Sequence, residues 1–288
     1  MQGNHRRQEI MMIPDLPVLC FLKIENVIIH EWHDDQRTPP LIDRIRETGL
    51  FRNPPIVAPL PDGSGRYMVL DGANRITALR SMGFPDVLVQ VVEPDHPGLR
   101  LENWNHVLWE MDPKVLLADI RAIPDVNPVV MQDQGQPNIM DDCGLALVQV
   151  PRGKRFTLCT GSDELVVKVA LLNSIVDCYK NRAKLDRTMA RDVRDLEDVY
   201  TNLSGLIIFP QFKISDVLRL AGAGYLLPTG ITRFTISPRA LHVNYPLYEL
   251  AADKTLEEKN NDLQRWVQTR INKKGVRYYA EATFLFDE

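Results

Sequence analysis

Residues 71–75, Asp-Gly-Ala-Asn-Arg, put a carboxylate, a glycine and a guanidinium where an apolar run, YMVLD, gives way to a helix-forming stretch, NRITALRSMGF. With Asp71 at the strand end capping the helix, Gly72, Ala73 and Asn74 form the first turn, whose backbone N–H groups have no intrahelical acceptor. Glycine lets a ligand approach the backbone closely, the helix dipole favours negative charge, and Arg75 adds a fork suited to phosphate oxygens. The chemistry is anion binding. The dipole contributes only about 0.3–1 kcal/mol at an exposed site, so Arg75 and the converging N–H groups must supply most of the affinity. Taken alone, D-G-x-x-R more often marks a capped helix with a solvated arginine. A second concentration of anion-binding types lies in PTGITRF and SPRAL, with Thr229, Gly230, Thr232, Arg233 and Arg239. It reads either as a wall of the same cleft or as a loop with two solvated arginines.

The elements that must position these residues follow from hydrophobic periodicity. VLCFLKIENVIIHEW reads as one or two strands broken at Glu25-Asn26, and PPLIDRIRETGLF as a helix stopped at Gly49. PPIVAPL and GRYMVLD are strands around a hairpin loop, and DVLVQVVEP is another strand after the helix that ends at Gly83. PKVLLADIRAI reads as a helix, and the Pro-, Asn- and Asp-rich PDVNPVVMQDQGQPNIMDD as a linker. Beyond it come strands GLALVQV and KRFTLCT, an apolar and so buried helix DELVVKVALLNSIVDCYKNR, strand GLIIFP and helix ISDVLRLAGAG. A last helix carries the capping-box pair Thr255 and Glu258 and closes at Gly275, and VRYYAEATFLFDE alternates as a final strand. The expected division is an N-terminal domain at 1–110, a linker at 111–141 and a C-terminal domain at 142–288, with an α/β (α+β) fold throughout.

The 288 residues allow one large domain or two ordinary ones, and 44% hydrophobic with 25% charged residues belong to a chain that folds. A formal charge of −4 provides no global field for a polyanion, which disfavours DNA as a partner. Cys20, Cys143, Cys159 and Cys178 show no metal-site spacing and read as small buried hydrophobes in a reducing compartment. No apolar run is long enough to cross a bilayer and the first residues lack a signal-peptide pattern, so the expected location is the cytoplasm, away from membranes.

DGANRITALRSMGF, with HEW after a strand and NPPIVAP before the hairpin, resembles the ParB/sulfiredoxin superfamily over roughly residues 17–110, whose phosphate-binding signature G-x-x-R-x-x-A reads here as Gly72, Arg75 and Ala78. Sulfiredoxins carry cysteine after that glycine, where this chain has Ala73, which argues against sulfinic-acid reduction. ParB-type CTPases continue into a helical DNA-binding domain, whereas the text after residue 110 is mixed α/β. A CTP-dependent DNA-binding regulator is therefore the alternative. The sequence is most similar to the free L-serine kinases of siderophore gene clusters, through IHEW, VLDGANR, ENWNHVLW, LPTGITRF and PRALHVN.

That resemblance implies phosphoryl transfer from ATP or ADP, with Mg²⁺, to the hydroxyl of free L-serine, giving O-phospho-L-serine for siderophore or other amino-acid-derived precursors. It makes Glu31 the base and Asp71 the catalytic carboxylate at the transferring phosphate and metal. Gly72, Ala73, Asn74, Arg75 and Thr77 become the phosphate end, and Trp104, His106, Arg233 and Arg239 the substrate end. The roles are chemically coherent, because a serine hydroxyl is a poor nucleophile at neutral pH and phosphoryl transfer otherwise needs positioning and charge stabilisation. Several relatives have histidine before the motif arginine. Asn74 stands there in this chain and cannot carry a proton.

Overall fold

Apolar residues alternate between two burial faces along the strands that lead to the glycine turn, and this alternation fixes the layers. The computed structural model describes residues 16–32, 38–131 and 144–279. Its first half runs β1 (Val18–Lys23), β2 (Val27–Ile28), α1 (Thr38–Thr48), β3 (Leu50–Phe51), β4 (Ile56–Pro59), β5 (Tyr67–Asp71), α2 (Ala73–Ser81), β6 (Asp86–Val91), β7 (Leu99–Asn103), β8 (Asn105–Trp109), α3 (Pro113–Arg121) and β9 (Asn127–Val130). The second half runs β10 (Gly144–Val150), β11 (Lys154–Cys159), α4 (Leu165–Asp177), β12 (Lys184–Thr188), β13 (Leu203–Ile208), α5 (Ile214–Gly222), β14 (Thr232–Ile236), β15 (Tyr245–Pro246), α6 (Leu247–Leu250) and α7 (Leu256–Asn272).

Two large sheets result, a mixed one of order β1-β6-β4-β5-β2 and an antiparallel one of order β12-β8-β13-β10-β11-β9. In β4 and β5 the period-two pattern sends Ile56, Ala58, Met68 and Leu70 into a core shared with the second sheet. Val57 and Val69 point the other way, into a core closed by α1, α2 and α7. The first sheet is thus buried on both sides, which its near-continuous apolar strands require. Helix α4 buries Val169, Leu172, Ile175 and Val176, while Val166 is exposed, so the helix expected to be buried all round covers the second sheet with one face.

The expected boundaries at 110 and 141 do not follow the sheets. Strand β8 joins the second sheet between β12 and β13, and the supposed linker supplies α3 and edge strand β9. Strand β14 returns to pair antiparallel with β7, and β15 pairs with β3. Helix α7, held at its start by the Thr255–Glu258 capping box, packs on β1. There the Asn260 side chain accepts from the Phe21 N–H at 2.8 Å and donates to its carbonyl at 3.2 Å, satisfying the edge of the first sheet. Buried Lys259 donates to Asp86 at 2.8 Å, and Lys23 lies 2.9 Å from the same carboxylate. Two ammonium groups outweigh burial and hold the Asp86 carboxyl below its usual range.

Cys20, Cys159 and Cys178 are half-buried, and burial pushes the Cys20 thiol up to about 11, while Cys143 lies outside the described residues. Of the expected final strand, residues 276–279 are irregular and the rest lies outside the described residues. Among the described residues no helix is long and apolar enough to cross a membrane.

Candidate active site

Strand β5 ends at Asp71, the chain turns at Gly72 with φ 98°, and α2 begins at Ala73. The helix cap is therefore Gly72, with no side-chain capping bond, and not Asp71 as the sequence suggested. The Asp71 carboxylate is turned to cations instead. Its Oδ2 accepts from Arg75 at 2.9 Å and from Arg239 in the segment after β14. Arg75 also donates to the Asn53 carbonyl at 2.7 Å, so its guanidinium lies folded back across Gly72, where an added Cβ would stand 2.7 Å from Nη2. Both the left-handed turn and the room for Arg75 require glycine at this position. Burial lowers the Arg75 pKa and Asp71 opposes that shift.

Across the cleft, β2 runs on into His30 and Glu31. The Glu31 carboxylate accepts from the Gly230 N–H at 2.8 Å, the Thr232 N–H at 2.6 Å and the Thr232 hydroxyl. Three donors from one loop fix its orientation. Behind it His30 is buried, with Nδ1 2.7 Å from the Val69 carbonyl and Nε2 2.8 Å from Thr232 Oγ1. Burial pushes the His30 pKa down, against the Glu31 charge and the Val69 carbonyl. A neutral imidazole then carries its proton on Nδ1 toward the Val69 carbonyl, and its Nε2 competes with the Glu31 carboxylate for the single Thr232 hydroxyl proton.

These groups face one cavity of about 700 Å³ lined by His30, Glu31, Asn53, Asp71 to Arg75, Trp104, Arg187, Thr229, Thr232, Arg233 and Arg239, among others. That volume suits a small-molecule ligand. Arg233 stacks 4.8 Å above the Trp104 ring and donates to Glu102 at 2.9 Å, the residue paired with it across the β14–β7 ribbon.

Two expected site residues lie elsewhere. Thr77 does not line the cavity, and its hydroxyl donates to the Ala73 carbonyl at 3.1 Å one turn back along α2. His106 is buried behind the wall, with Nδ1 2.9 Å from the Tyr179 hydroxyl and Nε2 3.3 Å from the Gly230 carbonyl. Burial pushes its pKa down to about 4, the Gly230 and Thr229 carbonyls opposing and Arg187 adding to the shift. His106 braces the loop that holds Glu31. Asn53, the first residue of NPPIVAP, and Arg187 also line the cavity, although neither was singled out as a site residue in the sequence.

For a cation, the described residues contain no cluster of three or more metal-ligating side chains. Asp71 fits Mg²⁺ of the kind held by one carboxylate together with ligand phosphates, since both of its guanidinium contacts fall on Oδ2.

No family model matches the chain. The ATP-dependent L-serine kinase SbnI of Staphylococcus aureus is 23% identical over a 302-residue alignment that spans 99% of this chain and 100% of that protein. An ATP-dependent L-serine kinase of Staphylothermus marinus is 30% identical over 88 residues, 31% of this chain and 34% of that protein. Among solved structures, C-terminally truncated SbnI superposes with a TM-score of 0.68 at 19% identity, covering 89% of this chain and 97% of that one. A free serine kinase in complex with AMP gives 0.68 at 14% identity, covering 83% and 96%. The chain has the free serine kinase fold. The likeness to free serine kinases, read in both halves from IHEW to PRALHVN, spans nearly the whole chain, and the α/β architecture expected from the sequence is the one these structures share.

Proposed function

We propose that this protein is a free L-serine kinase that transfers the terminal phosphoryl group of ATP to the serine hydroxyl, releasing ADP and O-phospho-L-serine. The observation that carries this reading is the cavity itself. A carboxylate held by three donors, Glu31, faces the glycine turn and helix start at Gly72–Arg75 across one space. Glu31 takes the hydroxyl proton as the serine oxygen forms its bond to phosphorus and the bond to the ADP oxygen breaks. The first-turn amides of α2 and Arg75 offset the charge of the phosphate oxygens, and Arg239 lies close enough to Asp71 to join them. Bound Mg²⁺ would supply further charge neutralisation at the phosphates, with Asp71 as its protein ligand. Full-length likeness to an ATP-dependent L-serine kinase supports ATP as the donor, with ADP the alternative tested below. Use of the product for siderophore or other amino-acid-derived precursors belongs to the same reading and draws on the likeness to SbnI.

Phosphorus NMR of the purified protein with Mg²⁺ and L-serine, and with ATP, ADP or CTP in separate tubes, tests it. The expected result is a phosphoserine signal in the ATP tube that requires serine and is lost in Glu31→Gln, while the variant still binds nucleotide. A signal in the ADP tube alone would reassign the donor. Absence of phosphoserine from every tube would refute the kinase reading, and normal turnover in Glu31→Gln would remove Glu31 as base.

A further inference from the structure

Among the described residues four arginines line the cavity, and three have acidic partners. Arg75 and Arg239 share the Asp71 carboxylate, and Arg233 is paired with Glu102 and stacked on Trp104. The fourth, Arg187, has no acidic partner among the described residues. The sequence pointed to Arg233 and Arg239 for nucleotide or substrate carboxylate, but Arg233 is held by Glu102 and Arg239 stands with Arg75 at Asp71, on the phosphate side of the cavity.

We propose that Arg187 binds the α-carboxylate of the amino-acid acceptor and so selects amino acids over other small alcohols. This assignment rests on the serine kinase reading. The geometry is set by one residue. The Arg187 guanidinium lies across Gly230, where an added Cβ would stand 2.3 Å from Nε and 2.8 Å from Nη2. The N–H of that same glycine holds the Glu31 carboxylate at 2.8 Å. In serine the carboxylate is on the carbon next to the one bearing the hydroxyl, so a cation that reads the carboxylate must stand beside the base that receives the hydroxyl proton. Arg187 meets that condition. Its placement follows from the β12–β8 pairing, in which it lies opposite His106, and the imidazole there, with its pKa pushed down to about 4, adds no competing positive charge at neutral pH. A guanidinium also matches a carboxylate with two parallel hydrogen bonds, a geometry that a lysine cannot reproduce.

The test compares L-serine with L-serinamide, which keeps the hydroxyl and replaces the carboxylate by a neutral amide. Loss of a charge-assisted pair of this kind corresponds to roughly a 10–100-fold fall in kcat/KM. Arg187→Gln is expected to show that fall for L-serine, mostly in KM, with L-serinamide turnover and the KM for ATP unchanged, so that the preference for L-serine collapses. Arg187→Lys is expected to restore part of it. An active wild type whose Arg187→Gln variant keeps its preference, or loses both acceptors equally, would overturn this assignment alone. A wild type inert toward L-serine would overturn the parent reading and this assignment with it.

Discussion

Replacing Gly72 by alanine tests the phosphate motif through its own construction. At φ 98° an alanine incurs about 1–2 kcal/mol of backbone strain. Its Cβ also meets Arg75 Nη2 at 2.7 Å and Nε at 2.8 Å, and this guanidinium is anchored at its far end by the Asn53 carbonyl and Asp71. Displacing it sacrifices at least one charged hydrogen bond, worth about 1.5–3 kcal/mol. The two contributions sum to about 2.5–5 kcal/mol, or a fall in Tm of roughly 5–20 °C for a chain of this size. The assay is a double-mutant cycle by urea denaturation on wild type, Gly72→Ala, Arg75→Ala and the double variant. In the Arg75→Ala background only the backbone strain remains, so the alanine should cost about 1–2 kcal/mol there. An equal loss in both backgrounds would refute the idea that Gly72 makes room for Arg75. With the guanidinium displaced, the KM for nucleotide should rise in Gly72→Ala beyond any change in the KM for serine.

Two further outcomes follow from buried charge. His106 titrates near 4 in the folded protein and near 6.5 when unfolded, so its contribution to stability is complete above about pH 6.5 and is lost as pH falls toward 4. The loss amounts to about 3 kcal/mol, and urea midpoints of His106→Gln measured from pH 7 to 4 should show a correspondingly flatter dependence than wild type. Lys259→Met leaves the buried Asp86 carboxylate with Lys23 alone and should destabilise by about 3 kcal/mol in chemical denaturation, and a second change, Asp86→Leu, should recover most of that loss.

Residues whose roles depend on local backbone were legible in the sequence. The strand, glycine and helix around residues 67–81 form as the punctuation of YMVLDGANR dictates, and the Thr255–Glu258 capping box is set by a spacing of three. Roles set by distant contacts were not. Arg187 sits in KLDRT, which reads as an ordinary exposed edge, and gains meaning only when β12 pairs with β8 and lays the side chain on Gly230. The family resemblance grouped His106 with Trp104, yet Trp104 falls in the break between β7 and β8 and lines the cavity, whereas His106 is buried behind it. Thr77 lies one helical turn beyond Ala73, where its hydroxyl finds a backbone carbonyl before any ligand. The proline-rich text near residue 124 suggested a linker because β9 is a short edge strand with little apolar alternation to announce it.

Glu31 and the amides that hold it are 199 and 201 positions apart in the chain. Closing a loop of that length carries a chain-entropy term of about 5 kcal/mol, which the three hydrogen bonds alone could not offset together with the ordering of the residues between. The carboxylate is therefore oriented only after both sheets and the β14–β7 ribbon have assembled. A polypeptide nicked between the halves would recover a competent Glu31 by fragment complementation, and neither piece would have one by itself. A chain whose two segments have not met would lack the oriented Glu31 carboxylate.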